Sequence, residues 1–190
     1  MIQPEWIERI KQGDREAFRL VYEHTVDQVF KTVSFLIQDK QEASDVVHEI
    51  YVEMVQSLSS YDSGKPFLSW LKGVVVRQTS NWNRKRWRRS RLLERSARLE
   101  MAEHEANVEE IALRHEQSGE LLALLHRLDY KYRIVIVLRY YEDCPFGEIA
   151  RLLQLPLGTA KSRHRIALDL IRRKGNFSVN KDAKPTEANA

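Results

Sequence analysis

Between Ala43 and Leu58 the apolar residues fall at Ala43, Val46, Val47, Ile50, Tyr51, Met54, Val55 and Leu58. Steps of three and four residues predict a helix with one face in a core. Its opposite face carries Asp45, His48, Glu49 and Glu53, and Asp39 with Glu42 forms a capping-box pattern at its start. Upstream, Pro4 to Lys11 reads as a short helix ended by Gly13. Asp14 can cap the next helix, which runs to about Ile37 with Phe18, Val21, Tyr22, Val29, Phe30 and Val33 on one side. Downstream, SSYDSGKP (59–66) is a turn-rich loop. A long helix starts near Phe67, carries Trp70, Leu71, Val74 and Val75, and runs into a basic cluster. Periodicity is weak over 91–118, which predicts a partly helical linker. LLALLHRLD and YKYRIVIVLRYYE then read as two helices. The stretch from Cys144 to Lys174 reads as two more, joined by a tight turn at Pro156. The polar segment 175–190 is expected to be a disordered tail.

The expected fold is all-α: two small helical domains, 1–90 and 119–174, joined by a flexible linker over 91–118. With only seven Gly and five Pro, and abundant Leu, Glu and Arg, the composition agrees. The net charge of +4 says little, but its distribution says more. Six of the eight residues 84–91 are Lys or Arg; 99–120 hold seven Glu against one Arg; 151–174 hold seven Lys or Arg against one Asp. That layout suggests two nucleic-acid surfaces separated by a solvated or protein-binding connector. The single cysteine, Cys144, excludes an internal disulfide and carries no local catalytic signature, so it reads as a structural thiol. No apolar run approaches the roughly 18 residues of a membrane span, and the N-terminus lacks the apolar centre of a signal peptide. A soluble, cytoplasmic protein without direct membrane insertion is expected.

The last two helices have the form of a helix-turn-helix. Phe146, Ile149, Ala150 and Leu153 are expected on the inner face of the first, and Ala160, Ala167 and Ile171 on that of the second. Lys161, Ser162, Arg165, Asp169 and Arg172 fall on the outward stripe. A major-groove reader needs long donors and small polar groups near the start of its helix, as Lys161, Ser162 and Arg165 provide. Arg163, Arg172 and Arg173 are placed to touch phosphates. In the basic cluster, Trp82, Asn83, Arg84, Lys85, Arg86, Trp87, Arg88 and Arg89 interleave aromatic rings with cations. Cations neutralise phosphates and rings can stack on unpaired bases, so the segment suggests contact with melted DNA. The two tryptophans read equally well as core residues of a solvated cationic helix. The face Asp45, His48, Glu49 is ordinarily a solvated helix face. No H-E-x-x-H, C-x-x-C, P-loop, GxGxxG or GxSxG pattern occurs, so no catalytic residue, metal site or cofactor is expected.

Three segments carry a resemblance. DVVHEIYVEM resembles the region 2.2 helix of the sigma-70 superfamily, FLSWLKGVVVRQTSNWNRKRWRR its regions 2.3 and 2.4, and YRIVIVLRYYEDCPFGEIARLLQLPLGTAKSRHRIAL its region 4. The chain thus resembles a small extracytoplasmic-function (ECF) sigma factor over about residues 5–174. The resemblance implies a non-enzymatic promoter-specificity subunit. Asp45, His48, Glu49 and Glu53 would dock on the β′ clamp helices of core RNA polymerase. The loop 59–66 and the helix after it would hold the melted −10 strand, with Trp82, Asn83, Arg84, Lys85, Arg86, Trp87 and Arg88 in contact with it. Region 4 would sit on the β-flap and read the −35 element of promoter DNA through Lys161, Ser162, Arg163, Arg165 and Arg172. An anti-sigma factor is a further implied partner. His48 stands where Gln is usual, Ala160 where Val is, Ile166 where Arg often is, and Gln154 replaces a turn Gly. A stand-alone helix-turn-helix regulator is the alternative, against which the region 2-like helix and the Trp-Arg segment argue.

Overall fold

A computed structural model describes residues 2–97 and 116–174. Over these residues the chain forms α1 (Pro4–Lys11), α2 (Arg15–Leu36), α3 (Lys40–Ser57), α4 (Phe67–Ala97), α5 (Glu116–His126), α6 (Tyr130–Tyr140), α7 (Phe146–Leu152) and α8 (Leu157–Lys174), with a single 3-10 turn at Leu58–Ser60 after α3. Local chemistry sets the boundaries. Gly13 ends α1 in the left-handed region (φ +85°). Its N–H donates to Ile10 O (2.9 Å) and that of Asp14 to Arg9 O (3.1 Å), closing a Schellman motif. Asp14 then caps α2, accepting from the backbone of Glu16 (2.8 Å) and Ala17 (3.1 Å). Asp39 caps α3 through Glu42 N (2.8 Å).

Helices α1–α4 enclose Ala17, Val21, Val33, Ile50, Met54, Leu58 and Val74. Truncating an enclosed side chain of the larger kind typically costs about 2–5 kcal/mol. In α5–α8, Ile134, Val135, Leu138 and Ile149 are enclosed, and the short Ala160 and Ala167 let α8 lie close against its neighbours. Phe146, Leu153 and Ile171, expected on the inner faces, are only half-buried.

The buried stripe of α2 departs from its apolar pattern. It runs through Ala17, Val21, Thr25, Val29, Thr32, Val33 and Leu36. Both threonines tolerate burial because their hydroxyls are satisfied: Thr25 donates to Val21 O one turn earlier (2.7 Å), and Thr32, 2.9 Å from Gln28 O, shares its single proton between that carbonyl and the Glu142 carboxylate. Tyr22 and Phe30 are left exposed instead, as is Val55 of α3.

Helix α4 continues through the basic cluster to Ala97, and α5 begins at Glu116. Of the linker expected over 91–118, residues 98–115 lie outside the described residues, as does the tail expected over 175–190. The two helical groups pack directly on each other, with α2 against α5 and α6.

Candidate nucleic-acid interface

The helix-turn-helix is formed by α7, a four-residue turn and α8. The turn repeats the device that ends α1. Gln154 N–H donates to Arg151 O (3.2 Å) and Leu155 N–H to Ala150 O (2.8 Å), with Gln154 in the left-handed region (φ +53°). The position where Gln replaces a usual Gly is therefore one whose backbone favours Gly. Pro156 O accepts from Thr159 N (2.9 Å) and Ala160 N (3.1 Å), starting α8.

On α8, Lys161, Arg165 and Arg172 are exposed, while Ser162 and Arg163 are half-buried. Ser162 spends its hydroxyl proton on Thr159 O (3.0 Å) and keeps only acceptor capacity outward. Among the described residues the one ion pair on α8 joins Arg172 to Asp169 (3.4 Å). Arg172 lies seven positions beyond Arg165, about 10 Å of helix rise, or about three base-pair steps of B-form DNA. His164 is held between α6 and α7. Its Nε2 lies 3.0 Å from Tyr140 Oη, and its ring meets Phe146 edge-on at 5.1 Å. Burial, then the nearby Arg139 charge, lowers its pKa, so the neutral ring is the packed form.

On α4 the two tryptophans, left open by the sequence, separate. Trp82 is half-buried against the core, with Arg86 over its ring at 5.4 Å. Trp87 is 56 % exposed and carries Arg91 at 4.3 Å. Asn83 is half-buried, and Arg84, Lys85, Arg86 and Arg88 are exposed. At the head of α4, Tyr61, Phe67 and Trp70 form an aromatic cluster with centroids 5.3–5.6 Å apart. It anchors the preceding loop, where Asp62 accepts from Gly64 N (3.0 Å) and pairs with Lys65 (3.3 Å).

On α3, Asp45, His48 and Glu49 are exposed, whereas Glu53 is half-buried and paired with Arg77 of α4 (3.7 Å). Beside them lies a groove of roughly 770 Å³ between α2 and α3. Phe18, Tyr22, Val26, Phe30, Val47, Tyr51, Val52 and Val55 line it, with His48 at its rim. The sequence hid this surface because its residues continue the core stripes of both helices. Among the described residues no group of His, Cys, Asp and Glu is arranged to hold a metal ion, and no helix is long and apolar enough to cross a membrane.

Sequence reasoning also missed a set of residues between the two helical groups. Glu142 is buried and accepts from Gln28 Nε2 (3.1 Å) and from the Thr32 hydroxyl. Lys72 Nζ sits 3.5 Å from its carboxylate and donates to its backbone carbonyl (2.9 Å). Arg133 donates to Leu36 O (2.8 Å), and His126 Nε2 lies 3.0 Å from Ser34 O. Two carbonyls in the last turn of α2, which has no basic residue of its own there, are thus capped from α5 and α6. Burial lowers the Arg133 pKa to about 10.

A helix-turn-helix with a cationic outer face, together with a second cationic helix bearing an exposed tryptophan, is the arrangement of a DNA-binding protein. Comparisons with known proteins give the family. Residues 21–89 match Sigma-70 region 2, and residues 118–169 match Sigma-70, region 4. The ECF RNA polymerase sigma factor SigW of Bacillus subtilis (strain 168) is 26% identical over 167 residues, 84% of this chain and 89% of that one. SigK of Mycobacterium ulcerans (strain Agy99), also an ECF sigma factor, is 29% identical over 171 residues, 85% and 87% of the two chains. Two solved structures share the fold. CnrH, in complex with the cytosolic domain of CnrY, aligns with TM-score 0.60 and 20% identity over 92% of this chain and 97% of that one. RpoE from Bartonella quintana, in complex with the anti-sigma factor NepR, aligns with TM-score 0.62 and 18% identity over 82% and 94%. The chain belongs to the sigma-70 family, in its ECF group: an alternative sigma factor, which binds core RNA polymerase and directs transcription initiation at promoters.

Proposed function

We propose that this sigma factor divides its work among three surfaces. The acidic edge of α3 (Asp45, His48, Glu49) and the apolar groove beside it receive the β′ clamp helices, with Glu53 at the margin. The loop 59–66 and α4, with Trp82 to Arg88, hold the melted −10 strand; Trp87 supplies the stacking ring, while Trp82 anchors the helix. On α8, Lys161 and Arg165 read −35 base edges, and Arg163 and Arg172 touch phosphates. Ser162 accepts rather than donates. The α5–α8 group docks on the β-flap. The chain works in the cytoplasm, without a cofactor or catalytic activity of its own. CnrH was solved in complex with the cytosolic domain of CnrY, and RpoE with the anti-sigma factor NepR. This chain is held by such a partner as well.

The polymerase contact rests on one observation: Asp45, His48 and Glu49 are exposed on a helix that buries Ala43, Val46, Ile50 and Met54 on its other side. Reversing their charge leaves packing untouched. Asp45→Arg and Glu49→Lys should therefore abolish capture by core polymerase in a pull-down while circular dichroism and thermal midpoint stay unchanged. Wild-type capture by a normally folded variant would refute the docking face.

A further inference from the structure

We infer that Ile166 of α8 is a specificity-determining residue: its side chain takes the C5-methyl group of a thymine in the major groove and so fixes one position of the −35 element. The inference rests on the reading above that the outward face of α8 reads −35 base edges.

The packing of α8 sets Ile166 apart. Ala160 and Ala167 are enclosed, and Leu168, Leu170 and Ile171 pack against the cluster of Leu125, Leu128 and Ile136. Ile166 packs in neither core cluster and is 38 % exposed. Leu157, exposed as well, opens the helix seven positions before His164. It therefore falls on the side where His164 meets Tyr140 and Phe146. At about 100° of turn per residue, Ile166 lies about 40° from Ser162, on the side away from Lys161. Arg163 follows about 60° further round. The order across the face is thus Lys161 and Arg165, then Ser162, then Ile166, then Arg163. Ile166 stands between side chains read here as facing bases and one read as touching phosphate.

That place suits one base feature. The thymine C5-methyl is the one methyl group that the four bases show in the major groove. It projects at the edge of the groove, beside the phosphates of its own strand. A lone exposed isoleucine is ordinary elsewhere on a surface. Against base edges it has consequences, because it offers no donor or acceptor and leaves any polar edge group it covers unpaired. A methyl group has nothing to leave unpaired. The β-branch also holds χ1 nearly fixed in a helix, so the contact orders little that was free. Arginine, which the family often carries at this position, would instead pair with guanine O6 and N7. Ser162, one turn earlier, does not supply a donor in its place, because its proton goes to Thr159 O (3.0 Å). The exchange of Arg for Ile therefore replaces a preference for guanine by one for thymine.

Removing single methyl groups from the DNA tests this. The full chain is assembled with core polymerase, and a promoter is selected from a library by the wild-type holoenzyme. Each −35 thymine, on either strand, is then replaced in turn by deoxyuridine, which lacks only the methyl. One replacement should weaken binding about fourfold, as expected for burial of one methyl group. In Ile166→Ala that penalty should vanish. In Lys161→Ala, which binds less tightly but keeps the isoleucine, it should persist. Ile166→Arg should lose the thymine preference at that position. Wild-type indifference to every methyl would overturn the inference, and this series depends on no variant's folding. An equal penalty in wild type and Ile166→Ala would overturn it too, as would a thymine preference kept in Ile166→Arg. Failure of the underlying reading looks different: the holoenzyme would then bind promoters with intact and scrambled −35 elements equally. A −35 preference that survives together with indifference to methyl groups would overturn the role of Ile166 alone.

Discussion

Gln154 illustrates how a single residue departs from local preference. An L-residue in the left-handed region costs roughly 1–2 kcal/mol relative to the right-handed helix, and glycine escapes that cost while adding freedom to the unfolded chain. Gln154→Gly should therefore stabilise the protein by up to about 1 kcal/mol, read as a higher midpoint in urea with an unchanged slope. A lower midpoint would mean that the Gln side chain makes contacts worth more than the backbone strain. The cations of α8 belong to the same scale. Lys161→Ala and Arg165→Ala should each cost roughly 1–3 kcal/mol and relax preference at one −35 position. Arg172→Ala should weaken all sequences alike and reduce the salt slope by about one unit. Holoenzyme binding to a −35 library at several salt concentrations separates them. Identical, sequence-independent losses for all three would show that the reading face lies elsewhere on α8.

At the scale of elements, the helices were legible because their starts and stops are written in single residues. Gly13, Asp14 and Asp39 act where their chemistry predicts. The groove between α2 and α3 was not legible: Tyr22, Phe30 and Val55 look like core positions, but α2 buries Thr25 and Thr32 and leaves Tyr22 and Phe30 outside, and Val55 of α3 is exposed beside them. Element packing also sets a pH response. Burial is the main cause of the lowered His126 pKa, assisted by the Arg133 charge and opposed by the hydrogen bond to Ser34. The folded pKa lies below the ordinary 6.5, so the unfolded chain binds the proton more readily. Stability from this group is present above that value and is lost as pH falls through it toward the folded pKa. His164, lowered chiefly by burial, acts in the same direction. The thermal midpoint should fall between about pH 7 and pH 5.5. The fall should shrink in a His126→Gln, His164→Gln double variant. An equal fall in that variant would assign the response to other groups.

For the molecule as a whole, sequence was enough for the family and for which helices carry cations, because helix-turn-helix spacing and the Trp-Arg segment are local signals. It did not separate the roles of Trp82 and Trp87, since both occupy the same kind of cationic helix and only packing covers one of them. Nor did it reveal the seam between the two helical groups. Lys72 and Glu142 are seventy residues apart, and Thr32 lies 110 residues before Glu142, so no periodicity connects them. The central claim, that this chain confers promoter selection on core RNA polymerase, is tested most directly by run-off transcription. Core enzyme is incubated with a promoter library with and without the chain, and the 5′ ends of the transcripts are sequenced. Discrete start sites that appear only when the chain is added, and that share upstream −10 and −35 sequences, are the predicted result. Start sites that are the same with and without the chain would contradict the account.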